Sequence, residues 1–376
     1  MRFFLCAFVL SSLLLVSCSK SKEEKSGATA STAETSMQQI PAIAIRLDST
    51  KYFFEGAIGE SAFVNAELSF HQSVVQGSYR YYAGSRALSL KGSIQADYTV
   101  QLVERDDQGR GGWEKDTNQT VSGRLIGKLD IDKGVLTGTW TSKDGKKSLP
   151  FSLKALGTFK VFKHGSLDVA CDYPHFSLPE LNAMNDTLAQ MTKKTYESAV
   201  ASIDTMRQEY LQEEDMKDRA GYLSEHTFAN VVYASSRLLS LVFHFDSYTG
   251  GAHGNYGFQS MTWKIEQGMP RRIQLAELFQ TNSNYAKVIS DILVQKLKKE
   301  EASSVVDGSI TNFTDDIQKE LLDFTLHPSG ITFYFAPYAV ASYAEGAFEI
   351  HIPWKQLESV LRPNMLSELF SKSLSP

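Results

Sequence analysis

Cysteine is scarce: the 376-residue chain holds three, Cys6, Cys18 and Cys171. Only Cys171 lies beyond the first eighteen residues, so no internal disulfide can staple what folds after them. Stability there must come from packed cores alone. Cys171 sits in the strand-like run 167–173 and is expected to be a small buried residue and not a nucleophile. Positive charge is not in excess either, with 38 Lys and Arg against 43 Asp and Glu, a net charge of −5. That balance argues against a generally basic nucleic-acid surface. Enzyme signatures are missing as well: there is no P-loop, no His-Glu-x-x-His and no Gly-x-Ser-x-Gly. What is plentiful is aromatic, 22 Phe and 16 Tyr, which points to strands, to aromatic binding surfaces, or to both.

The apolar run 3–16 is too short to cross a bilayer comfortably and follows a lone Arg2, as in a secretory signal. It ends on Leu15-Val16-Ser17-Cys18, which resembles a bacterial lipobox and makes Cys18 the expected lipidation site. Two or more acyl chains on that thiol would anchor the protein stably to a membrane. Residues 19–42 are Ser, Ala, Thr, Lys and Glu without apolar periodicity and read as a disordered tether. Within it Lys22-Glu23-Glu24 resembles the charged surface-export signal of Bacteroidetes lipoproteins, and reads equally as a solvated charge run. The expected location is the cell envelope, at the outer membrane or the outer face of the plasma membrane.

Residues 43–155 show short alternating runs cut by turn residues every eight to twelve positions, which predicts an all-β meander forming a small barrel or sandwich. The stretches 74–79 and 134–140 look alike, each with a Gly followed two positions on by an aromatic, Tyr79 and Trp140. Tyr79, Tyr81, Tyr82 and Trp113 are expected mostly to pack in or over the sheet, with sugar stacking as the alternative. Asn118-Gln119-Thr120 matches a glycosylation sequon by chance.

Residues 156–376 change character to α+β: an antiparallel sheet with helices packed on one side. A long helix is expected over 178–214, where Leu181, Met184, Leu188, Met191, Tyr196, Ala199, Ile203, Met206 and Tyr210 recur at threes and fours. Strands are expected at 223–227, 231–235, 238–245, 261–266, 324–326, 331–335 and 347–352, and helices at 286–301, 315–322 and 354–361. One loop stands apart, with Gly250, Gly251, His253 and Gly254 following Tyr248. Its glycines permit positive φ and close approach. His244, Asp246 and His253 lie near one another in sequence but match no standard metal spacing, so no metal or cofactor is expected.

The run Tyr248-Thr249-Gly250-Gly251-Ala252-His253, the segment Ile273 to Phe279, the stretch Phe333 to Gly346 and Ile350-His351-Ile352-Pro353 carry a family resemblance. Together they resemble the extracytoplasmic domain shared by the lysozyme-sensing anti-sigma factor RsiV and the peptidoglycan deacetylase PdaC, over residues 156–362. Ser342 stands where that family commonly has Pro. The deacetylase motifs and a sigma-binding segment are not found in this sequence, so neither activity is carried over. The resemblance implies a binding module at the cell envelope for a cell-wall glycan or for a wall-active protein such as lysozyme. Expected ligand groups are Tyr248, Gly250, Gly251, His253, Tyr338, Tyr343 and Glu345. Two rival readings stand beside it. One is a hydrolase or deacetylase pairing His253 with Asp246 or Glu345. The other is a structural envelope subunit docking through its barrel.

Overall fold

A computed structural model of the chain describes residues 42–83, 87–106 and 120–370. The expected signal, tether and lipidation site at Cys18, together with Trp113 and Asn118, lie outside these residues. No helix among the described residues is long and apolar enough to cross a membrane.

The chain first builds an antiparallel meander: β1 (Asp48–Ile58), β2 (Ala62–His71), β3 (Val74–Tyr81), β4 (Ala87–Ile94), β5 (Thr99–Asp106), β6 (Thr120–Asp130), β7 (Val135–Ser142) and β8 (Ser148–Lys163). Pairing of β1 with β8 closes these strands into an eight-stranded barrel. Alternation fills its interior with Phe54, Leu68, Phe70, Val75, Leu90, Leu102, Leu125 and Leu136. The two look-alike glycines, Gly77 and Gly138, are needed because a Cβ would lie about 2 Å from the neighbouring strand's carbonyl, Glu67 O or Ile126 O. The aromatics that follow them converge on one buried carboxylate. Tyr79 Oη and Trp140 Nε1 both donate to Oε2 of Glu104, whose residue is 2% exposed.

The 16-residue β8 runs through the expected boundary at 155/156 without a linker. Its first half closes the barrel, and its second half pairs with β9 (Asp168–Phe176), carrying the sheet out of the barrel. Helix α1 (Asn182–Gln212) follows, and then β10 (Ser224–Ala234), β11 (Leu238–Tyr248), β12 (Asn255–Glu266) and β13 (Met269–Arg272). Asn185 fastens α1 to β9, accepting from Phe176 N–H and donating to Phe176 O, both at 2.8 Å. Cys171 on β9 is 1% exposed.

The expected all-antiparallel sheet is corrected at one place: β10 lies parallel to β9 over Ser224–Thr227. The 31-residue α1 carries the chain back to the end where β9 began, and a hairpin cannot do that. Helix α1 covers one face of this sheet. Odd-numbered residues Leu239, Leu241, Phe243, Met261 and Trp263 pack against Met184 and Leu188 of α1 and Leu181 just before it. Even-numbered neighbours face a second sheet of β14 (Asp323–His327), β15 (Gly330–Phe335) and β16 (Phe348–Pro353). Here Ser240 Oγ accepts from Leu326 N–H and Asp323 Oδ1 accepts from Ser260 N–H. Helix α2 (Tyr285–Lys299), the short α3 (Ser303–Val306), α4 (Thr314–Gln318) and α5 (Met365–Leu369) share a core with that small sheet. Residues 354–361, read as a helix, hold only a 3₁₀ turn, Trp354–Gln356.

Candidate functional site

Residues 249–254 join β11 to β12, whose register pairs Ser247 with Asn255. One side of this loop is clamped. Tyr210 Oη donates to Thr249 O (2.7 Å), Arg219 Nη1 donates to Gly250 O (2.8 Å) and Tyr248 Oη donates to Gly251 O (2.9 Å). Among the loop's glycines, Gly250 alone has a positive φ, +83°. A Cβ there would also sit 2.7 Å from Cε2 of Tyr210. Gly251 and His253 are exposed.

The second expected segment lies between β15 and β16, where Tyr343–Glu345 form a 3₁₀ turn. Ser342 N–H and Oγ each donate to Glu345 Oε1 at 2.9 Å, and Ser303 Oγ donates to the same oxygen at 2.7 Å. The bond from Ser303 and those from Ser342 pull the Glu345 carboxyl down to about 2. Glu345 therefore fastens its own loop. A proline at 342 would supply neither donor, so the departure to Ser exchanges ring stiffness for a capping box.

The two loops meet. His253 stacks on Tyr343 with ring centroids 4.2 Å apart and planes 28° from parallel, and Tyr343 Oη donates to Gly254 O (2.6 Å). His253 Nδ1 donates to the same carbonyl (2.8 Å). Tyr338 lies 5.5 Å from Tyr343, and Tyr256 meets that ring at 5.8 Å and 69°. Tyr338 is 66% exposed with φ +71°, a left-handed conformation costly for a bulky residue. These four rings form an aromatic platform.

His244, Asp246 and His253 go separate ways, and among the described residues no group of three His, Cys, Asp or Glu is placed to hold a metal. Asp246 pairs with His226 Nδ1 (3.1 Å), whose Nε2 reaches Asp168 (2.9 Å). Burial opposes charge on His226, but the bonds to Asp168 and Asp246 outweigh it and hold its pKa above the ordinary value. His226 was not apparent from sequence, since its partners lie on β9 and β11. The β10–β12 register sets His226, Asp246 and Tyr256 in one cross-strand row and Phe228, His244 and Phe258 in the next. The second row leads into a cleft of about 760 Å³ between β2 and β3 of the barrel, this sheet face, and β15, β16 and α2. Burial, with Lys51 and Arg80 adding to it, pushes His244 down to about 4. Burial, with Lys296 and Arg80 adding to it, does the same to His351.

Two family models match the chain: Deacetylase PdaC over residues 162–256 and Protein of unknown function (DUF3298) over residues 276–355. His253 lies in the first segment and Tyr343 in the second, so the platform joins them. No curated protein matches the chain. Among solved structures, a DUF3298 family protein from Bacteroides fragilis NCTC 9343 matches at 21% identity and TM-score 0.38, over 57% of this chain and 98% of its own. A DUF3298 family protein from Pseudomonas aeruginosa PAO1 matches at 17% identity and TM-score 0.35, over 56% and 94%. The C-terminal region of this chain thus resembles a PdaC-type segment followed by a DUF3298 domain.

Proposed function

We propose that the protein is a non-enzymatic binding module of the bacterial cell envelope, held to the membrane by lipid on Cys18, and that its ligand is a cell-wall glycan. The observation that carries this reading is the His253–Tyr343 stack with Tyr338 exposed beside it. Flat rings with hydroxyls at their edges offer apolar faces to sugar rings and hydrogen bonds to their substituents. The platform is preorganised, because both loops are tied by hydrogen bonds from outside themselves, to α1 and to Ser303. The hydrolase alternative has less support: Asp246 is engaged by His226 and Glu345 by Ser303 and Ser342, so neither stands as a partner for His253.

The test is retention of the full-length chain on purified wall sacculi, with lysozyme beads as the alternative ligand. Retention on sacculi should drop at least tenfold in Tyr338→Ala with no change in melting temperature, since that ring is exposed. Retention that ignores both Tyr338→Ala and Tyr343→Ala would defeat the reading, and capture by lysozyme alone would replace the glycan with a protein partner. Separately, Cys18→Ser should move the protein from the membrane fraction to the soluble fraction.

A further inference from the structure

The barrel has two sides. Its β1–β2 wall is taken up at the junction, where Lys51 reaches Asp172 on β9 and Asn65 and Glu67 bond to β10. Because β1 closes on β8, the strands opposite that wall are β5 and β6. Along β4–β7 the inward positions hold Leu90, Leu102, Leu125 and Leu136, so the alternate residues point outward. One outward row runs in register from Lys91 on β4 through Val103 on β5 to Arg124 on β6. Arg105 follows Val103 on the same face of β5, and Ile126 and Lys128 follow Arg124 on β6. Lys91, Arg124 and Lys128 are exposed, Arg105 is half-buried, and Ile126 is 54% exposed.

This face is basic on a chain whose net charge is −5. Lys128 is paired with Asp97 in the β4–β5 turn (2.9 Å). Lys91, Arg105 and Arg124 have no ion pair and no side-chain hydrogen bond among the described residues. No Asp or Glu stands at an outward position of β4, β5 or β7. The one on β6, Asp130 at its end, is held by Lys133 (3.0 Å), on which Asp132 also bears. Residues 107–119, which join β5 to β6, add Asp107, Glu114 and Asp116 against Arg110 and Lys115, a difference too small to cancel three cations.

We infer that this face of the barrel docks on a membrane surface, with Lys91, Arg105 and Arg124 against the anionic headgroups of the bilayer. Cations beside such a surface are attracted to it, and Ile126 among them offers apolar area that a headgroup layer accepts and a purely ionic polymer does not. The route of the chain favours this occupant. Ile45 N–H donates to Ile131 O (2.7 Å), so the segment leading back to Cys18 enters the fold at the end of β6, the strand that carries Arg124 and Ile126. Fully extended, residues 19–41 span at most about 80 Å. Lipid on Cys18 would therefore keep the basic face near the bilayer, where tethering strengthens a weak attraction. The inference rests on that proposed anchor for its reach and on no residue of the aromatic platform.

Co-sedimentation of the full-length chain with vesicles tests it, using phosphatidylcholine alone and phosphatidylcholine with one-third phosphatidylglycerol. The apolar run 3–16 and any lipid on Cys18 partition into both, so the ratio of the two affinities reads the charged face. That ratio should be at least thirtyfold at low salt and fall toward one as salt is raised. Each cation at an anionic surface is worth roughly fivefold. Lys91→Gln with Arg124→Gln, both exposed, should thus lower the ratio at least tenfold at an unchanged melting temperature, and adding Arg105→Gln should bring it close to one. Lys298→Gln with Lys299→Gln, which removes the same charge from the exposed end of α2, should leave it unchanged. Cys18→Ser should leave it unchanged too, so the anchor and the face can fail separately. A ratio near one in the wild-type protein, a ratio that survives the Lys91 and Arg124 substitutions, or an equal fall in the Lys298 and Lys299 variant would overturn the inference. Capture on polyglycerol phosphate with a vesicle ratio near one would give the face to a soluble polyanion instead.

Discussion

Replacing His327 with phenylalanine removes a buried titrating group at the joint between barrel and small sheet. Its residue is 2% exposed, and its ring stands edge-on to Tyr82 (5.8 Å) and Tyr233 (6.3 Å). Nδ1 accepts from Ser329 N–H (3.3 Å), so the proton sits on Nε2, which has no hydrogen-bond partner among the described residues. Burial, with Arg80 and His351 adding to it, pushes the pKa from 6.5 down to about 3. A histidine depressed in the folded state is neutral there while the unfolded chain takes up a proton below pH 6.5. Its stabilising contribution is therefore complete above that pH and is lost as pH falls toward 3. Between pH 7 and pH 5 the loss is about 2 kcal/mol, from 1.36 kcal/mol per unit over roughly 1.5 units. Urea unfolding followed by far-UV circular dichroism at both pH values reads it. The wild-type protein should lose about 2 kcal/mol more than His327→Phe over this interval, whatever the variant costs at pH 7. Parallel losses in the two proteins would refute the reasoning, because the ring would then be as free to charge in the folded state as in the unfolded one.

Gly250→Ala should destabilise the protein by about 1–3 kcal/mol, combining left-handed strain with the close approach to Tyr210, and thermal melting will show it. An effect below about 0.5 kcal/mol would mean that the loop yields freely. Cys171, with its thiol pushed up to about 11 mainly by burial, should resist a thiol reagent at pH 8 until denaturant is added. Labelling of the native protein at the rate of a free thiol would contradict its burial.

Much of this architecture was legible because it is local. Period-two alternation and regularly spaced turns marked the barrel strands, and the recurrence of Leu181, Met184 and Leu188 marked α1, because each rests on neighbours in sequence. Pairing direction is not local, which is why the parallel contact of β9 with β10 escaped notice. β10 itself was read as two strands because Asn230 interrupts its apolar pattern, and that residue is turned to Glu67 across the barrel junction. Both loops of the platform stood out through their glycines and tyrosines. Glu345, though, was read as a ligand group when Ser342-x-x-Glu345 already spelled a capping box. The cleft could not be seen at all, since its walls come from β2, β3, β10–β12, β15, β16 and α2.

The barrel's part in the site follows from what crosses its junction. Lys51 on β1 reaches Glu67 (3.6 Å), Asp172 (3.1 Å) and Ala229 O (3.0 Å), and lies over the Phe159 ring at 3.7 Å. Asn65 on β2 donates to Val232 O (2.8 Å). Burial raises the carboxyls of Glu67 and Asp172, and Lys51 is the cation that offsets it for both. Removing Lys51 would thus leave two carboxylates sharing a buried site, a far greater penalty than an exposed ion pair carries. Such a junction fixes β2 and β3 against β10, and with them Arg80 against His244. A cleft built from two regions of one chain keeps its shape only if those regions cannot slide. The buried polar network does that orienting, while apolar packing supplies most of the attraction.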